Sequence, residues 1–263
     1  MPHDPRPGRV RLVGAGPGAV DLLTLRAARA VETAQALLYD ALVSDEVIAL
    51  APAHCVKIET GKRAGRVSMK QETINRLMLR LARRGLEVVR LKGGDPSVFG
   101  RVGEEQAFLR AHGIETEIVP GVTAASAAAA QFNFPLTHRG EARRLLISTA
   151  TASNGALVDE GWAAGADRQT TFALYMGRDQ AAEISDRLIA HGRPAGTPAI
   201  AVENAGHPSA RAIGTTLGGL SAALEAARPR GPVVLLIGEV TARASAAPAG
   251  QIEGLELPRR AHS

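Results

Sequence analysis

Aromatic residues are scarce in this chain. Phe, Trp and Tyr make up 3% of its 263 residues. Proteins that hold single-stranded nucleic acid stack bases on aromatic rings, so the composition weighs against that class. The core must be built from Ala, Val, Leu and Ile, and apolar residues are ample at 45%. A single cysteine, Cys55, excludes an internal disulfide framework and a cysteine metal cluster. Within AHCVKI it reads as a small buried hydrophobe. The seven histidines show no HExxH-like spacing, so no metal site is expected. No apolar run approaches the length of a membrane span. The opening MPHDPRPGR is polar and Pro-rich, without an apolar signal region. These absences together lead to the expectation of a soluble, cytoplasmic protein without membrane or nucleic-acid partners.

The formal net charge is +5, from 31 basic and 26 acidic residues. Solubility alone accounts for such an excess as well as a polyanionic partner does. The placement of the bases favours the partner. Lys62, Arg63, Arg66, Lys92, Arg101, Arg139, Arg143 and Arg144 fall in loops after expected strands or at the domain junction. Such loops converge on one side of an α/β sheet. For Arg143 and Arg144, scattered surface bases stand as the alternative reading.

Strand-like and helix-like stretches alternate through the first half, which argues a parallel sheet. Short strands are expected at Val10–Val13, Ala36–Tyr39, near Val56 and at Leu86–Leu91. Helices are expected over about Leu22–Thr33, from Ser44, over Lys70–Arg83 and over Glu104–His112. The small-residue stretch from Pro120 to Arg139 marks a junction. Beyond it, strands are expected at Leu145–Ser148, Thr171–Tyr175, Ala199–Glu203 and Val233–Gly238, with mixed pairing possible in the middle. Helices are expected near Gln180–Ala190 and Gly218–Ala226. The expected organisation is a flexible 1–9, an N-terminal α/β domain over 10–121, a junction over 122–139, a C-terminal α/β domain over 140–241 and a mobile tail over 242–263.

The most informative stretch is RLKGGDPSVFGRVGEE, Arg90 to Glu105. It follows a buried strand, where open α/β sheets bind ligands. Gly93 and Gly94 allow close approach of a ligand to the backbone, and Pro96 biases Asp95 towards an extended conformation. The alternative for Asp95 is a helix N-cap. Arg101 opposes the dipole of the helix that follows it, which a carboxylate-bearing ligand would explain. Glu104 and Glu105 suit a solvated helix start. Earlier, GAGPG at Gly14–Gly18 with Ala19 fits a loose dinucleotide fingerprint, and Asp40 stands where a ribose-binding acid would lie. Pro17 removes a backbone donor at the place a pyrophosphate would need one.

Taken in order, VGAGPG, LLYDALVS, GKRAGR, RLKGGDPSVFGRVGEE, PGVTAASAAAA, PLTHR, YMG and VENA resemble the tetrapyrrole methylase family over about Val10 to Val240. The resemblance implies two α/β domains with S-adenosylmethionine in the cleft between them, a homodimer, and a first glycine loop not used for a nicotinamide. It implies cofactor contacts at Pro17, Gly93, Gly94, Asp95, Val98, Thr123, Ala124, Met176 and Ala205. Asp40 and Lys62 match positions with acid–base roles. Arg101, Glu104 and Arg139 match positions facing a tetrapyrrole, and Arg101 is the group best placed to fix a carboxylate or assist loss of the proton after methylation. The implied reaction is methylation of uroporphyrinogen III at C2 and C7, giving precorrin-2 for sirohaem or cobalamin synthesis. A substrate with eight carboxylates would account for a basic cleft.

The chain departs from the family pattern twice. Val102 replaces a glycine usual in FGRGGEE, and Thr151 stands where the family usually has the histidine of a Thr-Gly-His signature. A threonine cannot titrate in that place. Three other readings stand beside the first. One is a related methylase acting on a different corrin intermediate or on RNA. Another is a non-catalytic tetrapyrrole-binding protein, suggested by Thr151. The last is a dehydrogenase, suggested by GAGPGA and Asp40.

Overall fold

The computed structural model describes residues 7–61, 69–151, 156–158, 161–245 and 251–254. The chain divides into two compact units, Met1–Thr123 and Ala124–Ser263.

The first unit is built on five strands, β1 (Val10–Gly14), β2 (Ala36–Tyr39), β3 (Val56–Glu59), β4 (Val88–Lys92) and β5 (Thr116–Val119). All their pairings are parallel, in the order β3-β2-β4-β1-β5. Its helices are α1 (Leu25–Glu32), α2 (Asp45–Ala49), α3 (Gln71–Arg83) and α4 (Val102–Ala111). Connections after β1 and β2 run towards β3, and those after β3 and β4 run towards β5. Right-handed crossovers in opposite directions put their helices on opposite faces. Accordingly, α1 and α2 bury Ala27, Val31, Val47 and Ile48 with Val13, Leu37, Val89 and Leu91. On the other face, α3 and α4 bury Ile74, Met78 and Leu109 with Leu12, Leu38 and Val88. β2 and β4 are neighbours whose outgoing connections diverge. That is a topological switch point, and the crevice lies beyond their carboxyl ends.

Local signals set the helix starts. Ser44 Oγ accepts the Val47 N–H at 3.4 Å, and Thr24 Oγ1 accepts the Ala27 N–H at 3.1 Å. The Thr24 cap starts α1 at Leu25, later than expected, after a separate 3-10 turn at Val20–Leu22.

The second unit has a mixed sheet of six strands in the order β11-β9-β8-β10-β7-β6. These are β6 (Arg144–Thr149), β7 (Thr170–Tyr175), β8 (Pro198–Glu203), β9 (Arg211–Thr216), β10 (Val233–Ile237) and β11 (Gln251–Gly254). β6 and β7 are parallel, and β10 runs antiparallel to both β7 and β8. The carboxyl ends of β6, β7 and β8 therefore share one edge of the sheet. Helix α5 (Ala124–Gln131) covers one face, while α6 (Trp162–Ala166), α7 (Ala181–Ala190) and α8 (Leu220–Ala227) cover the other. Arg193, 1% exposed, ties this core together. Its guanidinium donates to the carbonyls of Gly165, Thr170 and Ile237. Burial pulls its pKa down to about 10, against the opposing pull of Glu239 and Asp167.

Four elements were not expected from the sequence: β5, α6, β9 and β11. The stretch expected to be mobile contains β11, which pairs in parallel with β9, and the end of a 3-10 turn at Glu239–Arg243.

Candidate functional site

At the carboxyl edge of the first sheet, two aspartates make the same pair of contacts. Asp40, after β2, accepts the Leu42 N–H at 3.1 Å and the Gly93 N–H at 3.3 Å. Asp95, after β4, accepts the Ser97 N–H at 2.7 Å and the Gly121 N–H at 3.0 Å. Each carboxylate closes its own turn and grips the loop after another strand, β4 for Asp40 and β5 for Asp95. The β1 and β4 loops are also clipped together, because Gly16 and Gly94 exchange backbone bonds of 3.2 and 2.7 Å. Pro17 follows directly on this clip.

Three backbones crowd at this clip. A Cβ on Gly14 would lie 2.6 Å from the Gly121 nitrogen and 2.7 Å from the Gly94 oxygen. Gly94, at φ +70°, has nothing within 4 Å of the place a Cβ would occupy. The edge thus offers bare backbone to a ligand on an otherwise packed floor. Asp40, Gly93, Gly94, Asp95, Val98 and Pro17 are brought together here. Lys62, with Arg63 and Arg66, lies outside the described residues.

The same contacts disfavour the nicotinamide reading. The Gly16 N–H is spent on Gly94, and α1 starts only at Leu25. A pyrophosphate needs free N–H groups at a helix start adjoining the glycine loop. Asp40, the would-be ribose acid, is occupied by two backbone donors.

Beyond Asp95 the chain forms a strained corner. Phe99 and Arg101 both adopt positive φ, 55° and 56°. Such conformations cost side-chain-bearing residues about 1–3 kcal/mol each, and they cluster at ligand sites. Arg101 is the residue before α4, and its exposed guanidinium pairs bidentately with Glu104 at 2.9 and 2.7 Å. This bond raises the pKa of Arg101 and holds that of Glu104 below the usual carboxylate range. Glu104 thus orients Arg101 and offsets its clash with the helix dipole.

Two expectations are corrected here. Glu105 is not a solvated residue of the helix start but 0% exposed. Lys92 is not a base of the open loops but a buried one, at 5%. Glu105 Oε1 accepts from Lys92 Nζ at 3.1 Å, Arg90 Nε at 3.3 Å and Gln71 Nε2 at 2.9 Å. Glu105 Oε2 has no hydrogen-bond partner among the described residues. Burial, with Arg90 beside it, pulls the Lys92 pKa down, against the opposing pull of Glu105 and Asp40. A sequence signal for this group exists. Two bases at alternate positions of an interior strand need a buried acid.

In the second unit, Met176 follows β7 and Ala205 follows β8, so both leave the same edge of the sheet. Met176 also has positive φ, 57°, and is exposed. The Tyr175 hydroxyl accepts the Ala125 N–H at 2.9 Å. That bond ties the start of α5, next to Ala124, to the side chain of the last residue before Met176. Gln131, at the other end of α5, holds the turn after Ala205 through Gly206 N–H and His207 carbonyl bonds, both 2.9 Å. Thr151 leaves the same edge, after β6. Its N–H donates to Thr149 Oγ1 at 3.3 Å.

Arg139 is not brought to this edge. It sits in the 138–142 turn before β6, where Glu141 pairs with Arg243 of the 3-10 turn after β10. Arg143 and Arg144 lie at the amino end of β6 as well, engaged with Gln169 and Asp167. Their grouping with a basic site is therefore corrected, since each already has a local partner. No group of three or more His, Cys, Asp or Glu suited to a metal ion stands among the described residues. None of the described helices is long and apolar enough to cross a membrane.

A doubly wound parallel unit with a glycine-lined switch point, followed by a mixed α/β unit, defines a two-domain α/β protein with loop-built ligand sites. The comparisons identify the family. The description Tetrapyrrole (Corrin/Porphyrin) Methylases matches residues 9–221, and the chain belongs to that family. It is 48% identical to the uroporphyrinogen-III C-methyltransferase of Paracoccus denitrificans, over 90% of this chain and 83% of that protein. It is 46% identical to the siroheme synthase of Xylella fastidiosa over 90% of this chain, but spans only 50% of that longer protein. Among solved structures, the Thermus thermophilus uroporphyrin-III C-methyl transferase complexed with S-adenyl homocysteine matches with a TM-score of 0.76 and 41% identity. That match covers 89% of this chain and 98% of the Thermus chain.

Proposed function

We propose that this protein is an S-adenosylmethionine-dependent methyltransferase that methylates uroporphyrinogen III at C2 and C7, giving precorrin-2 by way of the singly methylated precorrin-1. The observation that carries the reading is the 48% identity to the Paracoccus enzyme across 83% of that enzyme's length. Its siroheme synthase relative agrees with a product destined for a modified tetrapyrrole. The bare backbone at Gly94 fits a bulky adenosyl ligand, and the Thermus relative was crystallised with the demethylated form of that donor.

The chemistry asks little covalent work of the protein. The methyl group passes from a sulfonium sulfur to an electron-rich macrocycle carbon, the sulfur keeps the bonding electron pair, and a proton then leaves the macrocycle. The residues have to align two ligands and exclude water. In this reading Pro17, Gly93, Gly94, Asp95, Val98, Thr123, Ala124, Met176 and Ala205 contact the methyl donor. Arg101 and Glu104 face substrate carboxylates, with Arg101 the first choice for fixing one of them. Asp40 and Lys62 are the acid–base candidates. The protein acts as a cytoplasmic homodimer on this reading. The domains are taken as 10–121 and 140–241, joined by 122–139.

The test is direct. The protein is incubated with S-adenosylmethionine and enzymatically generated uroporphyrinogen III, and the product is weighed by mass spectrometry. Two added methyl groups are expected. A second reading, a different corrin intermediate as substrate, is favoured by Thr151, which supplies no titratable group at the edge where β6 ends. Transfer to such an intermediate but not to uroporphyrinogen III would select it. Tetrapyrrole binding with no transfer at all would select a binding protein instead.

A further inference from the structure

The corner at Phe99–Arg101 is strained at two side-chain-bearing residues. Strain of this kind persists only where the surroundings hold it. Besides the Pro96 carbonyl of the same turn, two side-chain groups border the corner. On the outside is the Arg101–Glu104 pair, which is exposed and by itself worth little. On the inside is Lys92. Its Cε lies 3.1 Å from the place a Cβ on Gly100 would occupy, so its stem packs directly beneath the corner. Its ammonium is fixed by Glu105 at 3.1 Å, and both residues are buried. Glu105 belongs to the first turn of α4, directly after Glu104, and Lys92 ends β4. The bond between them joins the two ends of the stretch that carries the corner. Arg90 and Gln71 hold the same Glu105 oxygen from the strand and from α3.

We propose that Lys92, clamped by Glu105, is a positioning residue: it holds the Phe99–Arg101 corner so that Arg101 meets a carboxylate of the anionic substrate. The assignment of Arg101 to substrate rests on the function proposed above. The clamp itself rests on the contacts just described. Loss of the clamp loosens the corner and lets Arg101 wander, while the Asp95–Gly121 and Gly16–Gly94 contacts that shape the donor side stay in place.

The experiment uses the whole chain with Lys92→Met and Glu105→Gln, each alone and in an Arg101→Ala background. Three quantities are measured: the affinity for uroporphyrin III, a stable octacarboxylate probe; the affinity for S-adenosylhomocysteine; and amide hydrogen exchange over 96–104. Lys92→Met is expected to weaken uroporphyrin binding about tenfold, roughly 1.4 kcal/mol. S-adenosylhomocysteine affinity should stay within about twofold, and exchange over 96–104 should rise about tenfold or more with the sheet amides unchanged. In the Arg101→Ala background, Lys92→Met should change uroporphyrin affinity less than about twofold, because residues that act through one another are not additive. Glu105→Gln keeps the shape of the side chain and covers the case in which Lys92→Met does not fold; the same pattern is expected from it. Full additivity with Arg101→Ala, a parallel loss of both ligands, or unchanged exchange over 96–104 would overturn the proposal. A wild-type protein that binds no uroporphyrin and transfers no methyl group would instead overturn the proposed function, and the exchange measurement would still decide whether Lys92 holds the corner.

Discussion

The Asp95 carboxylate accepts the Gly121 N–H at 3.0 Å, binding the loop after β4 to the loop after β5. Asp40 does the same for Gly93, one strand over. The residue expected to contact the methyl donor is therefore also a brace for the loops around it. Asp95→Ala removes both tasks. It should lower stability by about 1.5–3 kcal/mol, the range for hydrogen bonds to a charged group. It should also weaken S-adenosylhomocysteine binding by a further tenfold or so. Thermal unfolding and titration calorimetry separate the two effects. Lost stability with unchanged affinity would reduce Asp95 to a brace.

Gly121 tests the packing behind that bond. A Cβ there would run into the Gly94 carbonyl and the Gly14 backbone, which cannot swing aside as a side chain can. Gly121→Ala should cost about 1–3 kcal/mol, as overpacking does. Gly113→Ala is a useful comparison, because a Cβ there meets nothing within 4 Å. It carries only the penalty of its positive φ. A Gly121→Ala protein no less stable than Gly113→Ala would show that the three loops can separate.

Arg101 separates strain from function. Its φ of 56° suits glycine, and its side chain is exposed in a surface ion pair. Arg101→Gly should therefore leave stability unchanged or raise it by about 1 kcal/mol. Turnover with tetrapyrrole should fall steeply in the same variant. Urea unfolding and steady-state kinetics read the two quantities. Lower stability together with undiminished turnover would make Arg101 a structural residue.

Much of this was legible in the sequence, for reasons that can be named. The carboxyl-edge loops announce themselves through glycine, proline and isolated acids after apolar runs, which is how Asp40, Gly93, Gly94 and Asp95 were found. Ser44 and its helix follow from capping chemistry, which is local. Strands β5 and β9 were hidden because TEIV and RAIGTT mix polar and small residues with few apolar ones. Their pairing with neighbours far along the chain decides their state, as is usual for strands. Glu105 was misread because an acid in a first helical turn has a sufficient local explanation. Arg90 and Lys92 on β4 call for a buried acid, and the fold shows that Glu105 is that acid. Arg139 was grouped with the other bases by its place at the junction, yet the turn that holds it lies before β6, at the edge opposite the carboxyl ends of β6, β7 and β8.

Glu203, at the end of β8, supports a prediction about acid. Its Oε1 accepts the Arg230 and Gly231 N–H groups at 2.6 Å each, and its Oε2 accepts from Arg211 at 2.9 Å. Burial alone would raise its pKa, but these donors outweigh it and hold the group below the usual carboxylate range. A folded-state pKa below the unfolded value of about 4.3 means that the unfolded chain binds more protons in between. The stabilisation is therefore complete above about pH 4.3 and is lost as the pH falls through the folded value. The buried contact also shapes the site, since Glu203 precedes Asn204, at φ 52°, and Ala205. Glu203→Gln keeps the shape but loses the charge and offers an N–H where an acceptor is needed. It should cost about 1.5–3 kcal/mol at pH 7, the range for charge-assisted bonds. The difference from wild type should shrink as the pH is lowered below about 4. Urea unfolding of both proteins from pH 7 to pH 3 measures it. A difference that stays constant across that range would mean that the Glu203 charge contributes nothing beyond its shape.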